Sequence, residues 1–355
     1  MSSFEVKVYK LEILTHPNAD SLELAKVGDY LSIVRKDLFK TGDLAVYIPE
    51  ASLVPEEILK EIGLDGKLAG SKKNRVRAMK LRGILSQGLI YPNKGWGEGQ
   101  DVTKELNITK WEPEIPAKLA GEVNSWDGKF SFDVENIKKY PSVFANGEDV
   151  IITEKIHGSC MLVALVPTDK RKDDMIDGKF VVISKGLGAQ GLYFKDTEKN
   201  NENSYVKTAR ESGLLKQISD YFSFVESEDD KEFLFVGELV GVQDMKYGVT
   251  GGALTFRLFG LRVNGDWIDW DILESVAIHV GMPMVPVLYR GPFSKEALDL
   301  HTNGKESVTG QEMHIREGVV VYPAKERYSA EMHGRTMLKS VSEAYLLRKE
   351  GTEFT

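Results

Sequence analysis

The segment Glu154-Lys155-Ile156-His157-Gly158 sets three titratable side chains between two apolar runs, "DVIIT" before it and "SCMLVAL" after it. A lysine at the mouth of a strand pair is suited to nucleophilic chemistry. Its amine attacks only when neutral, whereas a free lysine keeps its proton up to about pH 10.4. Partial desolvation beside a bound cation would favour the neutral form. Gly158, three positions on, would let the backbone approach a bulky ligand closely. An ordinary surface turn is the competing reading of these five residues alone. A second stretch, "SKKNRVRAMKLRG", carries six basic and no acidic residues between Lys72 and Arg82. From Arg75 onward, basic and apolar residues alternate with one slip at Ala78-Met79, which predicts a strand with a bulge. Arg75, Arg77, Lys80 and Arg82 would then share a solvent face able to meet successive phosphates, with Val76 and Leu81 directed into the core.

The elements that must hold these residues divide the chain in two. Residues 1–110 read as mostly β: "FEVKVYKLEIL" alternates, "YLSIVRKDL" and "LAVYIPE" are short strands, and "VPEEILKEIGL" is one short helix. Many short strands with one helix predict a small barrel. Residues 111–130, with two prolines and two glycines, read as a linker. From 131 to 355 the pattern is α+β. Strands are expected at "DVIITEKI", "MLVALV", "FVVISK", "FLFVGELV", "LTFRLFGLRV" and "EGVVVYP". Helices are expected around Tyr205–Val225, Trp270–Val280, Ser294–Leu300 and Ser342–Arg348, and "ESEDDKE" (226–232) as a solvated loop.

Composition narrows the function classes. With 355 residues and 42% hydrophobic content the chain can bury a large core, and two domains are expected. Cys160 is its single cysteine, which excludes an internal disulfide and a cysteine-based zinc cluster. No apolar run approaches membrane-spanning length, and a cytoplasmic monomer is expected. The net charge is −8, split as +2 over residues 1–110 and −10 over the rest. General coating of nucleic acid is therefore disfavoured, and any such contact must be local.

Two resemblances build on these residues. "LTHPNADSLELAKVG" resembles the opening of the tRNA-binding type of OB-fold, with His16 and Asp20 as turn-fixing residues. Lys155-Ile156-His157-Gly158 resembles motif I of the covalent nucleotidyltransferases, the superfamily of DNA ligases, RNA ligases and capping guanylyltransferases. Ser184-Lys185-Gly186 looks like motif Ia, Glu238 in "FLFVGEL" like motif III, and Phe259 in "FRLFGLRV" like motif IIIa. Glu317 in "EGVVVYP" looks like motif IV and Lys339 in "MLKSVS" like motif V. Each motif is degenerate, but six in order across 185 residues are not. The implied fold is a small OB-like barrel followed by an adenylyltransferase domain of antiparallel sheets with flanking helices, an ATP-grasp-like ligase fold. The implied roles follow: Lys155 attacks the α-phosphate of a nucleoside triphosphate, and Lys339 neutralises that phosphate. Glu317, with Glu238, binds Mg²⁺ (for which Mn²⁺ can substitute). Glu238 alternatively meets the ribose, Phe259 stacks on the base with Phe256 as the alternative, and Ser184 and Lys185 lie near the ribose or phosphate. Backbone atoms beside Glu154 and Ile156 read the base edge.

The order of modules selects a branch. An OB-like unit precedes the transferase motifs, and only 16 residues follow Lys339. That arrangement, with Lys-x-His-Gly, looks like the nick-sealing RNA ligases. The resemblance implies an ATP-dependent enzyme joining 3′-OH and 5′-phosphate ends, at RNA ends or in nicked duplexes containing RNA, in the host cytoplasm if the protein is viral. A GTP-using or DNA-joining relative and a non-catalytic tRNA- or RNA-binding protein are the alternatives. Two departures from the family pattern stand out. His157 replaces the usual aspartate of motif I and is expected to orient a water or a ribose hydroxyl. Motif V lacks its second lysine, for which Arg335 is the nearest cation.

Overall fold

The computed structural model describes residues 4–111, 121–126, 130, 133–222 and 231–348. The N-terminal β unit forms as expected. Lys7–Lys10, Leu44–Ile48 and Leu89–Pro92 make one three-stranded sheet, and Glu12–Thr15, Leu22–Val27 and Tyr30–Arg35 make a second. Alternating apolar residues such as Val8, Val46 and Ile48 fill one side of the barrel and Ala25, Val27 and Val34 another. His16 Nδ1 accepts the Asn18 amide at 3.1 Å, which closes the turn between two strands. The one helix, Glu56–Glu61, begins after Pro55.

Two sheets build the larger unit. One has seven strands in the order Val123–Ser125, Leu192–Phe194, Phe180–Ser184, Ser159–Leu165, Phe233–Val240, Thr255–Val263, Asp266–Trp267. The other has five: Glu135–Asn136, Leu338–Val341, Gly318–Pro323, Asp149–Lys155, Val287–Pro292. All pairs in both sheets are antiparallel except Glu135–Asn136 with Leu338–Val341. The largest core cluster, shared by these sheets and the helices packed on them, includes Met161, Val163, Phe180, Tyr193 and Phe235, all fully buried. The apolar run 149–165 is thus two strands in two different sheets, and the charged segment is the crossing between them.

Several elements differ from the sequence reading. Tyr205–Val225 is two helices, Ser204–Glu211 and Leu214–Phe222, broken at Gly213, whose φ of +76° a continuing helix forbids. Residues 226–230 of the expected acidic loop lie outside the described residues, as does most of the expected linker; within that linker, Val123–Ser125 adds an edge strand to the seven-stranded sheet. The basic segment is not one bulged strand. Arg75 makes isolated antiparallel bridges to Leu53 and Ala69, and Met79–Leu81 pairs separately with Ile84–Ser86. Val76 is buried as expected, but Leu81 is exposed and Arg82 sits in a left-handed turn at φ +51°.

The two units meet through polar contacts. Lys138 Nζ donates to Gln87 Oε1 at 2.6 Å, Lys80 pairs with Glu343 at 2.6 Å, and Lys110 pairs with Asp133 at 2.9 Å. Within the five-stranded sheet, Gly318 is required by contact. A Cβ there would lie 2.1 Å from the Ser340 carbonyl oxygen and 2.8 Å from Val341 Cα, both backbone atoms. Gly318→Ala is therefore expected to cost about 2–3 kcal/mol of stability, as overpacking of a fixed site does. A urea unfolding midpoint equal to that of the wild type would show that the strands can part without penalty.

Candidate active site

Lys155 ends its strand opposite Gly318 on the neighbouring strand, so the preceding residue, Glu317, stands beside it. The carboxylate Oε1 lies 2.5 Å from Lys155 Nζ. Glu317 is buried, and its Oε2 has no hydrogen-bond partner among the described residues. After Lys155 the buried Ile156 turns the chain inward and Gly158 carries it across to the second sheet. Gly158 lines the cleft and also approaches the protein's own backbone closely. An added Cβ would stand 2.4 Å from the Leu239 carbonyl oxygen and 2.9 Å from Glu238 Cγ.

Glu238 stands across from Cys160 on the adjacent strand. Burial pushes its carboxyl up to about 8, and nearby Glu317 adds to that while Lys155 opposes it. Beyond it the pairing slips. Val236 faces Gly260 and Gly237 faces Leu258, so Phe259 is the extra residue of a bulge. Bulges re-aim side chains, and Phe259 is directed into the cleft while Phe256, 3% exposed, packs over Gly237. That agrees with the expectation that only one of the two phenylalanines faces the site.

Three lysines converge. Lys339 lies on Leu338–Val341, across from Val320. Burial draws its pKa down, and the charges of Lys155 and Lys185 draw it further. Lys185 opens the helix Lys185–Ala189, whose N-cap is Ser184. Its Nζ donates to Asp133 at 2.6 Å. Burial would raise the Asp133 carboxyl, but Lys185 and Lys110 outweigh it and hold it well below the carboxylate range. Asp133 was not anticipated from the sequence, where it is one acid among many. Arg335 does not join the site. Its Nε donates to Glu326 at 3.0 and 3.1 Å, and its guanidinium stacks on Trp267 at 3.9 Å. The cations that act on Lys339 are Lys155 and Lys185.

His157 has both ring nitrogens engaged. Asp244 Oδ1 lies 2.8 Å from Nε2, and the Tyr345 hydroxyl lies 2.8 Å from Nδ1. Arg348 Nη2, which can only donate, also lies 3.2 Å from Nε2, so the Asp244 contact favours a proton on Nε2 and the Arg348 contact opposes it. Burial lowers the His157 pKa; Glu317 opposes this and Arg348 adds to it. Both nitrogens have protein partners, where the sequence reading expected a water or a ribose hydroxyl. Asp244, Tyr247, Tyr345 and Arg348 surround this ring, and none lies in a motif that could have flagged it.

Glu154 itself is held by the protein through both its backbone and its side chain. Its backbone amide donates to Pro286 O at 2.8 Å and is already used. The side chain is 1% exposed; Oε2 accepts from Ser307 N at 2.7 Å and Ser307 Oγ at 2.6 Å, while Oε1 has no partner. Burial raises its pKa, with the Ser307 bonds opposing.

Lys155, Lys185, Lys339, Asp133, Glu238, Glu317 and Phe259 line one cleft of about 1160 Å³, to whose wall the barrel adds Tyr30, Glu50, Arg75 and Arg77. Arg75 stacks on Trp111 at 3.6 Å. Lys80 and Arg82, expected on the same face, are not in the cleft lining. Among the described residues no group of three or more His, Cys, Asp or Glu side chains is arranged to hold a metal ion, and no helix is long and apolar enough to cross a membrane. Two carboxylates, Glu317 with an unpartnered oxygen and Glu238, do suit a cation that keeps several waters, as Mg²⁺ does.

Comparison with known proteins follows this geometry. A family model described as RNA ligase matches residues 148–341, more than half of the chain. The chain belongs to the RNA ligase family. A model described as an OB-fold domain matches residues 6–93. The protein is thus an RNA ligase with an N-terminal OB-fold. No curated protein sequence matches it. Among solved structures, Naegleria gruberi RNA ligase with PPi is 22% identical, with a TM-score of 0.73 over 97% of this chain and 98% of that one. An apo aspartate-to-alanine variant of the same protein is 23% identical, with a TM-score of 0.75 over 97% of each chain. A lysine-to-methionine variant with AMP and Mn is 22% identical, with a TM-score of 0.72 over 96% and 97%. This likeness shows a shared fold along nearly the whole chain.

Glu238 generates a test in this RNA ligase. Folded, its carboxyl keeps a proton to about 8; unfolded, it loses it near the ordinary 4.5. Folding binds a proton between those values, so its contribution to stability is greatest below 4.5 and is lost as pH rises to about 8. Glu238→Gln removes that loss. The urea midpoint of the variant relative to wild type should be higher at pH 8 than at pH 5, and an unchanged difference would show that Glu238 is ionised in the folded protein.

Proposed function

We propose that the protein is an ATP-dependent RNA ligase that seals 3′-OH/5′-phosphate ends or nicks through a covalent lysyl-AMP. The observation that carries this reading is the Lys155–Glu317 pair at 2.5 Å, in a cleft that also holds Lys185, Lys339 and Phe259. Lys155 leaves its ion pair and sheds a proton. Its Nζ forms a bond to the α-phosphorus of ATP as the bond to pyrophosphate breaks. Lys339, which has no ion-pair partner among the described residues, balances charge developing on the α-phosphate oxygens, with Lys185 beside it. When bound at Glu317 and Glu238, Mg²⁺ would supply positive charge against the same phosphate. AMP then passes to a 5′-phosphate, and a 3′-hydroxyl attacks that activated phosphate and expels AMP.

Glu154 favours ATP over GTP. Its unpartnered Oε1, when ionised, can accept from the adenine amino group but would repel the guanine carbonyl at the same place. Phe259 is the stacking wall, and Ser184, Ile156, His157 and Gly158 frame the nucleotide. On the barrel side, Arg75 and Arg77 face the cleft and Lys80 and Arg82 flank it, giving RNA phosphates a contact on a chain of net charge −8. We assign residues 1–110 to RNA contact and 131–355 to adenylation, in a cytoplasmic monomer. The ATP and Mn named with Naegleria structures support the choice of nucleotide and metal.

Incubation with ATP and magnesium should add one AMP to Lys155, seen by intact-protein and peptide mass spectrometry. Lys155→Ala should carry none, and a label retained on that variant would remove the lysine from its role. Adduct formation with GTP in place of ATP would overturn the base assignment. Glu317→Ala and Lys339→Ala should each slow sealing of a nicked RNA duplex by about 100-fold or more, the scale of losing a charge-stabilising group. Near-normal sealing by either variant would refute its placement.

A further inference from the structure

The helix Glu343–Leu346, near the C-terminal end of the chain, touches three parts of the molecule, and the chemistry above gives it no task. It is one turn long, too short to hold its shape by its own hydrogen bonds. Its position is therefore set from outside. Ser342, its N-cap, is 1% exposed. The Ser342 amide donates to the Glu317 carbonyl at 2.8 Å, and its hydroxyl donates to the Arg316 carbonyl at 2.7 Å. The backbone that carries Glu317 thus also carries this turn. Glu343 adds a tie to the barrel through Lys80.

Tyr345 is the residue that this anchoring places. Its hydroxyl lies 2.8 Å from His157 Nδ1, its ring meets the imidazole edge-on at 5.4 Å, and it lines the cleft. At the other ring nitrogen, Asp244 Oδ1 lies 2.8 Å from Nε2. Arg348 Nη2 reaches both Nε2, at 3.2 Å, and Asp244 Oδ1, at 3.5 Å, while its guanidinium sits 4.0 Å over the Tyr345 ring. The His157 amide donates to the Tyr247 hydroxyl at 2.8 Å. A buried histidine is thus held at both ring nitrogens and at its backbone.

The restrained ring has a catalytic neighbour. His157 Nδ1 lies 3.8 Å from Glu317 Oε2, the oxygen with no hydrogen-bond partner among the described residues, while Oε1 of the same carboxylate holds Lys155. The imidazole is a wall against which that carboxylate rests. A carboxylate at position 157, the usual residue of motif I, would meet Asp244 and Glu317 with like charge. Asp244 and Tyr345 are matched to histidine instead.

We infer that Tyr345 and Asp244 are positioning residues that hold the His157 ring as the wall fixing Glu317 beside Lys155, so that the C-terminal turn is part of the adenylation apparatus. The inference rests on the RNA ligase reading and adds to its site two residues outside the motifs. Both act through His157 and not on the nucleotide. Their loss should slow the step at Lys155 and leave ATP binding as it was.

Single-turnover formation of lysyl-AMP by the full chain, over a series of ATP concentrations, tests this. Tyr345→Phe and Asp244→Asn should each lower the maximal rate about tenfold, the scale of a small misplacement near the chemistry. The half-saturating ATP concentration should not change. Because both residues act through one ring, the double variant should also be about tenfold slower, whereas independent losses would multiply to about a hundredfold. A wild-type maximal rate in either variant, a raised half-saturating concentration in place of a slower rate, or multiplied losses in the double variant would each overturn the inference. Both substitutions keep the shape of the side chain, and urea midpoints check that folding is retained. Should one variant not fold, the rate and half-saturation of the other decide. Wild type, measured in parallel, separates the two readings. If it forms the adduct and the variants match it, only the positioning role fails. If it forms none, the ligase reading fails instead.

Discussion

Three ammonium groups, those of Lys155, Lys185 and Lys339, face one partly desolvated cleft, and their mutual repulsion governs how the rest of the site is built. Like charges within a few ångströms cost several kcal/mol where water is scarce. The protein answers with anions placed unevenly. Glu317 takes Lys155 and Asp133 takes Lys185. Lys339 is left with no ion-pair partner among the described residues, and its pKa is drawn down by burial and by the other two lysines. A cleft short of one anion is matched to a ligand that brings its own negative charge. The same shortage of water pushes the Glu238 carboxyl up to about 8, so the site keeps one carboxyl protonated near neutrality.

Holding this cluster is the task of the crossing between two sheets. Lys155 closes a strand of one sheet and Ser159 opens a strand of the other, and only three residues lie between. Such a short crossing works because Gly158 lets the backbone touch the Leu239 carbonyl and Gly318 does the same against Ser340. Both glycines serve packing, and the catalytic geometry follows from them. The bulge that turns Phe259 toward the cleft is a third local irregularity, set in an otherwise regular seven-stranded sheet.

The OB-fold takes part in the site as well as standing before it. Asp133 receives Lys185 from one unit and Lys110 from the end of the other, so a single carboxylate ties the cleft to the barrel. The helix Glu343–Leu346 makes a second tie, with Glu343 on Lys80 and Tyr345 on His157. Exposed ion pairs contribute only about 0.2–1 kcal/mol each. The joint between the units is therefore polar and adjustable, unlike the tightly packed apolar cores on either side of it.

Part of this was legible in the chain itself. Period-two patterns marked the principal strands, because local spacing sets which residues share a strand, whereas Lys155, Glu317, Lys339, Lys185, Glu238 and Phe259 were indicated by the resemblance to the nucleotidyltransferase motifs and all line one cleft. What spacing cannot encode is contact between distant segments. Asp133, Asp244 and Tyr345 became part of the site only when packing brought them to Lys185 and His157. The amide of Glu154 was bonded to the Pro286 carbonyl by a long-range contact invisible in the sequence. Arg335 went to Glu326 and Trp267, and the basic run from Arg75 to Arg82 broke into a cleft wall and a hairpin. In each case a side chain's partner was decided by long-range geometry, since an ion pair or hydrogen bond depends on distances of a few ångströms that no one-dimensional order specifies.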